Sequence, residues 1–174
     1  MAAGDLYALC REFLQASADA LLDAPAGPID RAFVSPGPPA WDCCPQLTVH
    51  AGGPAPADTE PLAPPLQPGH RIQDGVLLNL VTMTATVIRC TPTVPEGSTG
   101  FPDAADLDAS AEELLGDVWA IWNHIATLKR AGSLWGPKTR EVFFDPAVAL
   151  NAAGGCAGWQ MQVRVQLDGY RTTP

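Results

Sequence analysis

The chain has 174 residues, 47% of them apolar and 17% charged, which is enough to bury one core without a metal or disulfide staple and too apolar to stay unfolded. Its formal charge of −9 disfavours sequence-independent nucleic-acid binding, which needs a basic face to grip phosphates. The 16 glycines and 18 prolines gather in a few stretches without a period, which excludes collagen and points to long loops around a compact core.

Between Asp5 and Leu22 the residues Leu6, Leu9, Cys10, Phe13, Leu14, Leu21 and Leu22 recur at helical spacing and predict an amphipathic helix that ends before Pro25. Prolines at 25, 28, 36, 38, 39 and 45 then deny a helix and allow only short extended pieces such as Arg31 to Val34. Gln46 to His50 alternates, with Leu47 and Val49 on one side. Ala51 to Gln73, rich in proline, glycine and alanine, reads as a loop longer than the ~12–15 residues usual inside compact domains, and as the first place to expect a partner contact. Val76 to Cys90 is a β-branched run, largely apolar on both sides, and predicts a central strand.

A second Pro/Gly loop, Thr91 to Pro102, leads to three competing helix starts at Asp103, Asp106 and Ser110, the last completing a Ser-x-x-Glu capping box with Glu113. The helix runs to about Ala131 on the stripe Leu107, Ala111, Leu114, Leu115, Val118, Ile121, Trp122, Ile125 and Leu128, with Lys129 and Arg130 in its last turn and Gly132 just beyond. Arg140 to Phe144 and part of Ala147 to Leu150 read as strands. Trp159, Met161, Val163, Val165 and Leu167 then alternate with Gln160, Gln162, Arg164 and Gln166, which predicts a strand with one face buried and one wet. This order predicts one α+β domain over residues 1–174: a mostly antiparallel sheet with two helices packed on one face and long Pro/Gly-rich loops.

Little in this pattern carries chemistry. Five cysteines, Cys10, Cys43, Cys44, Cys90 and Cys156, are an odd number without a CxxC or a metal spacing, and read as buried thiols; one late disulfide among Cys43 or Cys44, Cys90 and Cys156 stays open. His50 ends a strand, His70 sits in a loop and His124 lies beside the apolar stripe of the second helix, so no nucleophile pair is expected. Asp106, Asp108, Glu112 and Glu113 suit the positive end of a helix. Gly52-Gly53 and Gly154-Gly155-Cys156-Ala157-Gly158 lack phosphate-loop spacings and read as turns. Trp122 and Trp159 lie on apolar faces and are expected in the core, whereas Trp119, offset from the stripe, and Trp135, beyond the helix, suit an interface between chains. The pattern therefore predicts no enzyme, no cofactor and no metal; the alternative class is a small thiol enzyme or ligand-binding domain using Cys90, Cys156 and a histidine. No stretch has the length of a membrane helix, and Met1 to Asp5 lacks the basic start of a signal peptide, so folding in a reducing cytoplasm is expected.

Four segments carry a resemblance: Val34-Ser35-Pro36-Gly37, Trp41-Asp42-Cys43-Cys44-Pro45-Gln46-Leu47-Thr48-Val49, Val87-Ile88-Arg89-Cys90-Thr91-Pro92, and Gly154 to Gly158 ahead of the last strand. They resemble the tail terminator and head-to-tail connector proteins of long-tailed actinobacterial phages. The resemblance implies a virion structural subunit without enzymatic activity, assembled with itself as a sixfold ring on the last ring of the major tail tube protein. That ring stops tube growth and offers a surface to the head-proximal stopper or connector protein. It also implies a place in the virion neck, assembly in the host cytoplasm, no membrane, and genomic DNA passing an acidic lumen without specific binding. In such a ring the loop carrying Asp58 and Glu60 is a candidate inter-subunit or tube-contacting arm, beside Trp119 and Trp135. Among neck proteins, adaptors are mostly helical and stoppers mostly small β-barrels, so the order of two helices and a sheet favours a terminator.

Overall fold

The computed structural model describes residues 3–39, 45–52, 55–56, 79–94, 100–135, 139–153 and 155–167. In chain order the elements are α1 (Ala3–Leu21), β1 (Arg31–Val34), β2 (Gln46–Ala51), β3 (Ala55–Pro56), β4 (Asn79–Cys90), α2 (Ala104–Arg130), β5 (Thr139–Phe144), β6 (Val148–Ala153) and β7 (Cys156–Leu167). The strands form one sheet in the order β1-β2-β4-β7-β5; β3 also pairs with β4, and β6 with β7. All these pairings are antiparallel except β1 with β2. β2 and β3 lie in succession along one edge of β4, and β5 and β6 along one edge of β7. β4 is central, as its two apolar sides require.

Both helices pack on one face of this sheet, so the fold is α+β. Cys10, Phe13, Leu14 and Leu21 of α1 and Ile121 and Ile125 of α2 close over Leu47 and Val49 of β2, Val81, Met83, Ala85 and Val87 of β4, and Met161, Val163 and Val165 of β7. The spacing in each strand is two and in each helix three or four, so one alternation supplies the floor of the core and one helical stripe the roof. On β7 Met161, Val163 and Val165 are buried while Gln162 is exposed and Gln160, Arg164 and Gln166 are half-buried.

A buried ion pair pins the two halves of the roof. Arg89, near the end of β4, donates through Nε to Asp117 Oδ2 at 2.7 Å and through Nη2 to Asp117 Oδ1 at 3.0 Å. The same guanidinium donates to the carbonyls of Gly27 at 2.7 Å and Ala26 at 3.3 Å, beyond α1. One side chain thus holds the α1–β1 connection, the middle of α2 and the central strand together, with its donors satisfied by a two-pronged carboxylate and backbone oxygens.

Several expectations are corrected. Among the three possible starts of α2, Asp103 is the N-cap, its carboxylate accepting from the Ala105 amide at 3.0 Å, so Ser110 lies inside the helix. Pro102 stops any earlier start, and the first competent cap prevails. The predicted loop from Ala51 begins later than expected: Ala51 ends β2, and Ala55–Pro56 pair with Leu80 and Asn79. The presumed turn Gly154 to Gly158 is a turn only at its start, where Gly155 has φ +79°, and Gly158 is already within β7. A Cβ on Gly158 would stand 2.3 Å from the Val87 carbonyl oxygen, so this glycine serves close backbone approach inside the sheet. Trp122 and Trp159 are half-buried rather than enclosed.

Candidate assembly surface

α2 is about 40 Å long at 1.5 Å per residue, and its sides are treated differently by the fold. Leu114, Asp117, Ile121 and Ile125 face inward and are buried. The next flank around the helix, in the direction away from Asp117, carries Leu115 and Trp119, which remain 55% and 68% exposed. Trp122 rests between the two, half-buried, its ring centroid 5.1 Å from that of Phe144 on β5. The apolar arc of α2 is therefore wider than the sheet beneath it can cover. Leu107, on the helix's first turns, is also exposed, and Phe101, just before the helix, is 96% exposed.

The reason lies in the sheet. α1 lies against β1, β2 and β4, and α2 against β4 and β7, whereas α2 reaches β5 through Trp122 and Phe144. Val142, Phe144 and Ala147 only partly join the core. This edge is blunted against strand pairing. The register slips between Thr139 and Glu141, Pro146 interrupts the run between β5 and β6, and it slips again between Leu150 and Ala153. Proline and bulges on an edge remove the regular ladder another strand would need. The opposite edge, β1, is four residues long. A neighbour therefore finds side-chain surface here, not an open ladder.

The opposite face of the sheet mixes apolar and polar groups, with Leu80 and Ile88 of β4 buried on it. Gln46, Thr48, Thr84 and Thr86 are buried there too, and the Oγ1 atoms of Thr48 and Thr86 and the Nδ1 of His50 have no hydrogen-bond partner among the described residues. Burial lowers the His50 pKa below its ordinary value. Farther along the same face a shallow cleft of about 510 Å³ is lined by Thr82, Gln160, Gln162 and Arg164 and by Asp145, Pro146 and Val148. Arg164 donates to Asp145 Oδ1 at 2.7 Å and lies 5.8 Å above the Phe143 ring, so its charge is already engaged. At the far end of β4, Cys90 and Thr91 face Asp106, Ser110 and Glu113 of α2 across a cleft of about 390 Å³. Cys10 and Cys156 are buried, and burial raises the Cys10 thiol pKa. Among the described residues no three histidine, cysteine or carboxylate side chains are placed to share a metal ion, and no helix is long and apolar enough to cross a membrane.

Of the interface candidates, the fold places Trp119 at the surface and Trp135 in the core. The expectation for Trp135 is corrected: it is 4% exposed, edge-on to Phe13 with ring centroids 5.8 Å apart, and its indole Nε1 donates to the Leu9 carbonyl at 3.3 Å. Gly132, at φ +67°, turns the chain back after α2, and Trp135 itself has φ 60° with its amide held by the Glu12 carboxylate. The tryptophan after the helix is thereby folded under α1. Asp58 and Glu60 lie outside the described residues, as do Cys43, Cys44 and His70. His124 is half-buried on α2. The exposure of Leu115 was missed because the residue fits the apolar stripe; the signal available was the excess width of that stripe once Trp119 is added to it. No family model matches the sequence, and no curated protein matches it.

Proposed function

We propose that the chain is a structural subunit of a phage neck, a tail terminator that works by shape-matched assembly on the end of the tail tube. The observation that carries this reading is the apolar flank of α2, with Leu115 and Trp119 open beside the blunted β5–β6 edge. A monomer that leaves a tryptophan and a leucine together at its surface while denying strand pairing is suited to bury side-chain surface against neighbours. The α+β architecture, the acidic balance of the chain and the four segments resembling terminators support the same reading. Copies of the chain form a ring, sixfold by that resemblance, one side of which meets the major tail tube protein and the other the stopper or connector. The acidic balance lets DNA pass without adhering.

The test is electron microscopy of particles from a phage carrying this gene, with the gene silenced. The expected result is overlong, unattached tubes beside DNA-filled heads without tails. Leaking or empty heads with tails of normal length would move the chain to the stopper or adaptor position, and intact virions would overturn the structural reading.

A further inference from the structure

The outer flank of α2 is not only apolar; it is ordered by charge. Asp108, Glu112, Leu115, Trp119, Ala126 and Arg130 follow one another at intervals of four, three, four, seven and four residues, the spacing of a single helical stripe. Asp108, Glu112, Leu115, Trp119 and Arg130 are exposed and Ala126 half-buried. Along this stripe two carboxylates stand at the N-terminal end, two large apolar side chains in the middle and a guanidinium at the C-terminal end. Neither carboxylate nor Arg130 has an ion-pair partner among the described residues.

Such a stripe is complementary to itself when reversed. Laid antiparallel on a second copy, it sets Asp108 of each helix opposite Arg130 of the other, with Glu112 one turn from that guanidinium and Trp119 meeting its counterpart in the middle, flanked by Leu115. Position 119 lies midway between 108 and 130, so Trp119 falls at the twofold axis, where a large aromatic contributes most. Laid parallel, the same stripe sets acid against acid. The polarity of the flank thus chooses both the occupant and its direction.

We infer that the chain pairs with a second copy of itself through this flank, as a twofold antiparallel α2–α2 contact. This goes beyond the terminator reading and does not rest on it. A ring with distinct upper and lower sides cannot be built from an isologous contact within its plane, so the pair belongs to the chain before it reaches a tail. In that state it covers the apolar flank and releases it when another surface competes.

The experiment is sedimentation of the whole purified chain over a range of concentrations, with three variants whose changes all lie on the exposed stripe. The unaltered chain is expected to be a dimer that dissociates on dilution. Trp119→Ala is expected to raise the dissociation constant about a hundredfold, since two copies of the central aromatic are lost. Arg130→Glu turns the two Asp108–Arg130 attractions into two repulsions and is expected to raise it roughly tenfold; adding Asp108→Lys to Arg130→Glu restores both pairs with reversed sign and is expected to recover most of the loss. Unchanged unfolding midpoints at low concentration show that the variants fold. A monomer at every concentration overturns the pairing, as does a dimer indifferent to Arg130→Glu or one that the double change fails to rescue. A sixfold particle that Trp119→Ala weakens but that ignores both charge changes overturns the pairing and leaves the terminator reading standing, whereas a swap-sensitive dimer from a gene whose silencing leaves virions intact does the reverse.

Discussion

Leu114 and Leu115 are neighbours in one helix, yet the first is 7% exposed and the second 55%. The inner side of α2 is sealed by β4, β7 and α1 and pinned by Asp117 to Arg89. The outer flank runs out over an edge that no regular strand or helix of the chain is seen to cover among the described residues. The same chemistry, leucine and tryptophan at helical spacing, is core on one side and surface on the other. What separates them is how far the sheet extends beneath, a property of strand order that no window of α2 contains. A helix whose apolar arc exceeds its footing leaves that excess in water, and it is there that the proposed contact between copies is placed.

That contrast can be broken first on its closed side. Asp117→Ala leaves the Arg89 guanidinium buried without its carboxylate and is expected to cost about 3–5 kcal/mol, read as a loss of unfolding free energy in urea. Trp135→Ala empties the space between α1 and the chain after α2 and is expected to cost a comparable ~3–5 kcal/mol. Gly158→Ala drives a methyl onto the Val87 carbonyl and is expected to cost about 1–3 kcal/mol as β4 and β7 are forced apart. If any of these leaves the urea midpoint unmoved, the sealed half of the molecule is not the part that sets stability.

Titration sharpens the contrast between the two faces of the sheet by a smaller amount. His50 has a lowered pKa in the folded chain, so the unfolded chain binds the proton first as pH falls. Stability is complete above the unfolded value, about 6.5, and declines as pH falls from there toward the folded value. Cys10, under α1, has the opposite sign of window: its raised thiol pKa keeps the folded form neutral while the unfolded thiol ionises, so stability declines as pH rises past about 8.5. Denaturation of the chain and of His50→Gln and Cys10→Ala at several pH values checks both. Each variant should flatten its own limb, acid for His50 and alkaline for Cys10.

The element order was legible because it rests on periodicity: the alternation of β7, the β-branched run of β4 and the two amphipathic helices each occupy one contiguous window. Burial of partners distant in sequence was not. Nothing near Trp135 announces that Phe13, Leu9 and Glu12, more than a hundred residues earlier, will receive it; Gly132 announces only a turn. Arg89 and Asp117 are individually ordinary, and their pairing depends on the crossing of α2 over the end of β4. Gly158 resembles a turn residue because the four residues before it, Gly154 to Ala157, are all small, and only the adjacent Val87 carbonyl shows that it is a strand residue. Trp119 was legible for the reverse reason. Its departure from the stripe is a property of one helix, visible without knowing what lies under it.

Trp119 also gives the smallest expected effect on the fold and the sharpest test of the comparison. With 68% of its surface already in water, Trp119→Ala removes little burial within one chain, and at high dilution the unfolding free energy should move by no more than ~0.5 kcal/mol. Trp135→Ala, the same change of side chain, should move it several-fold more at any concentration. The distinction grows with protein concentration, because a contact present only between folded copies raises their melting temperature by mass action. The unaltered chain should therefore melt higher as it is concentrated, and Trp119→Ala should not. A tryptophan that leaves the monomer's stability alone and removes its concentration dependence is one whose place is between chains; a fall in stability that is equal at every concentration would instead mean that the flank is held within its own chain.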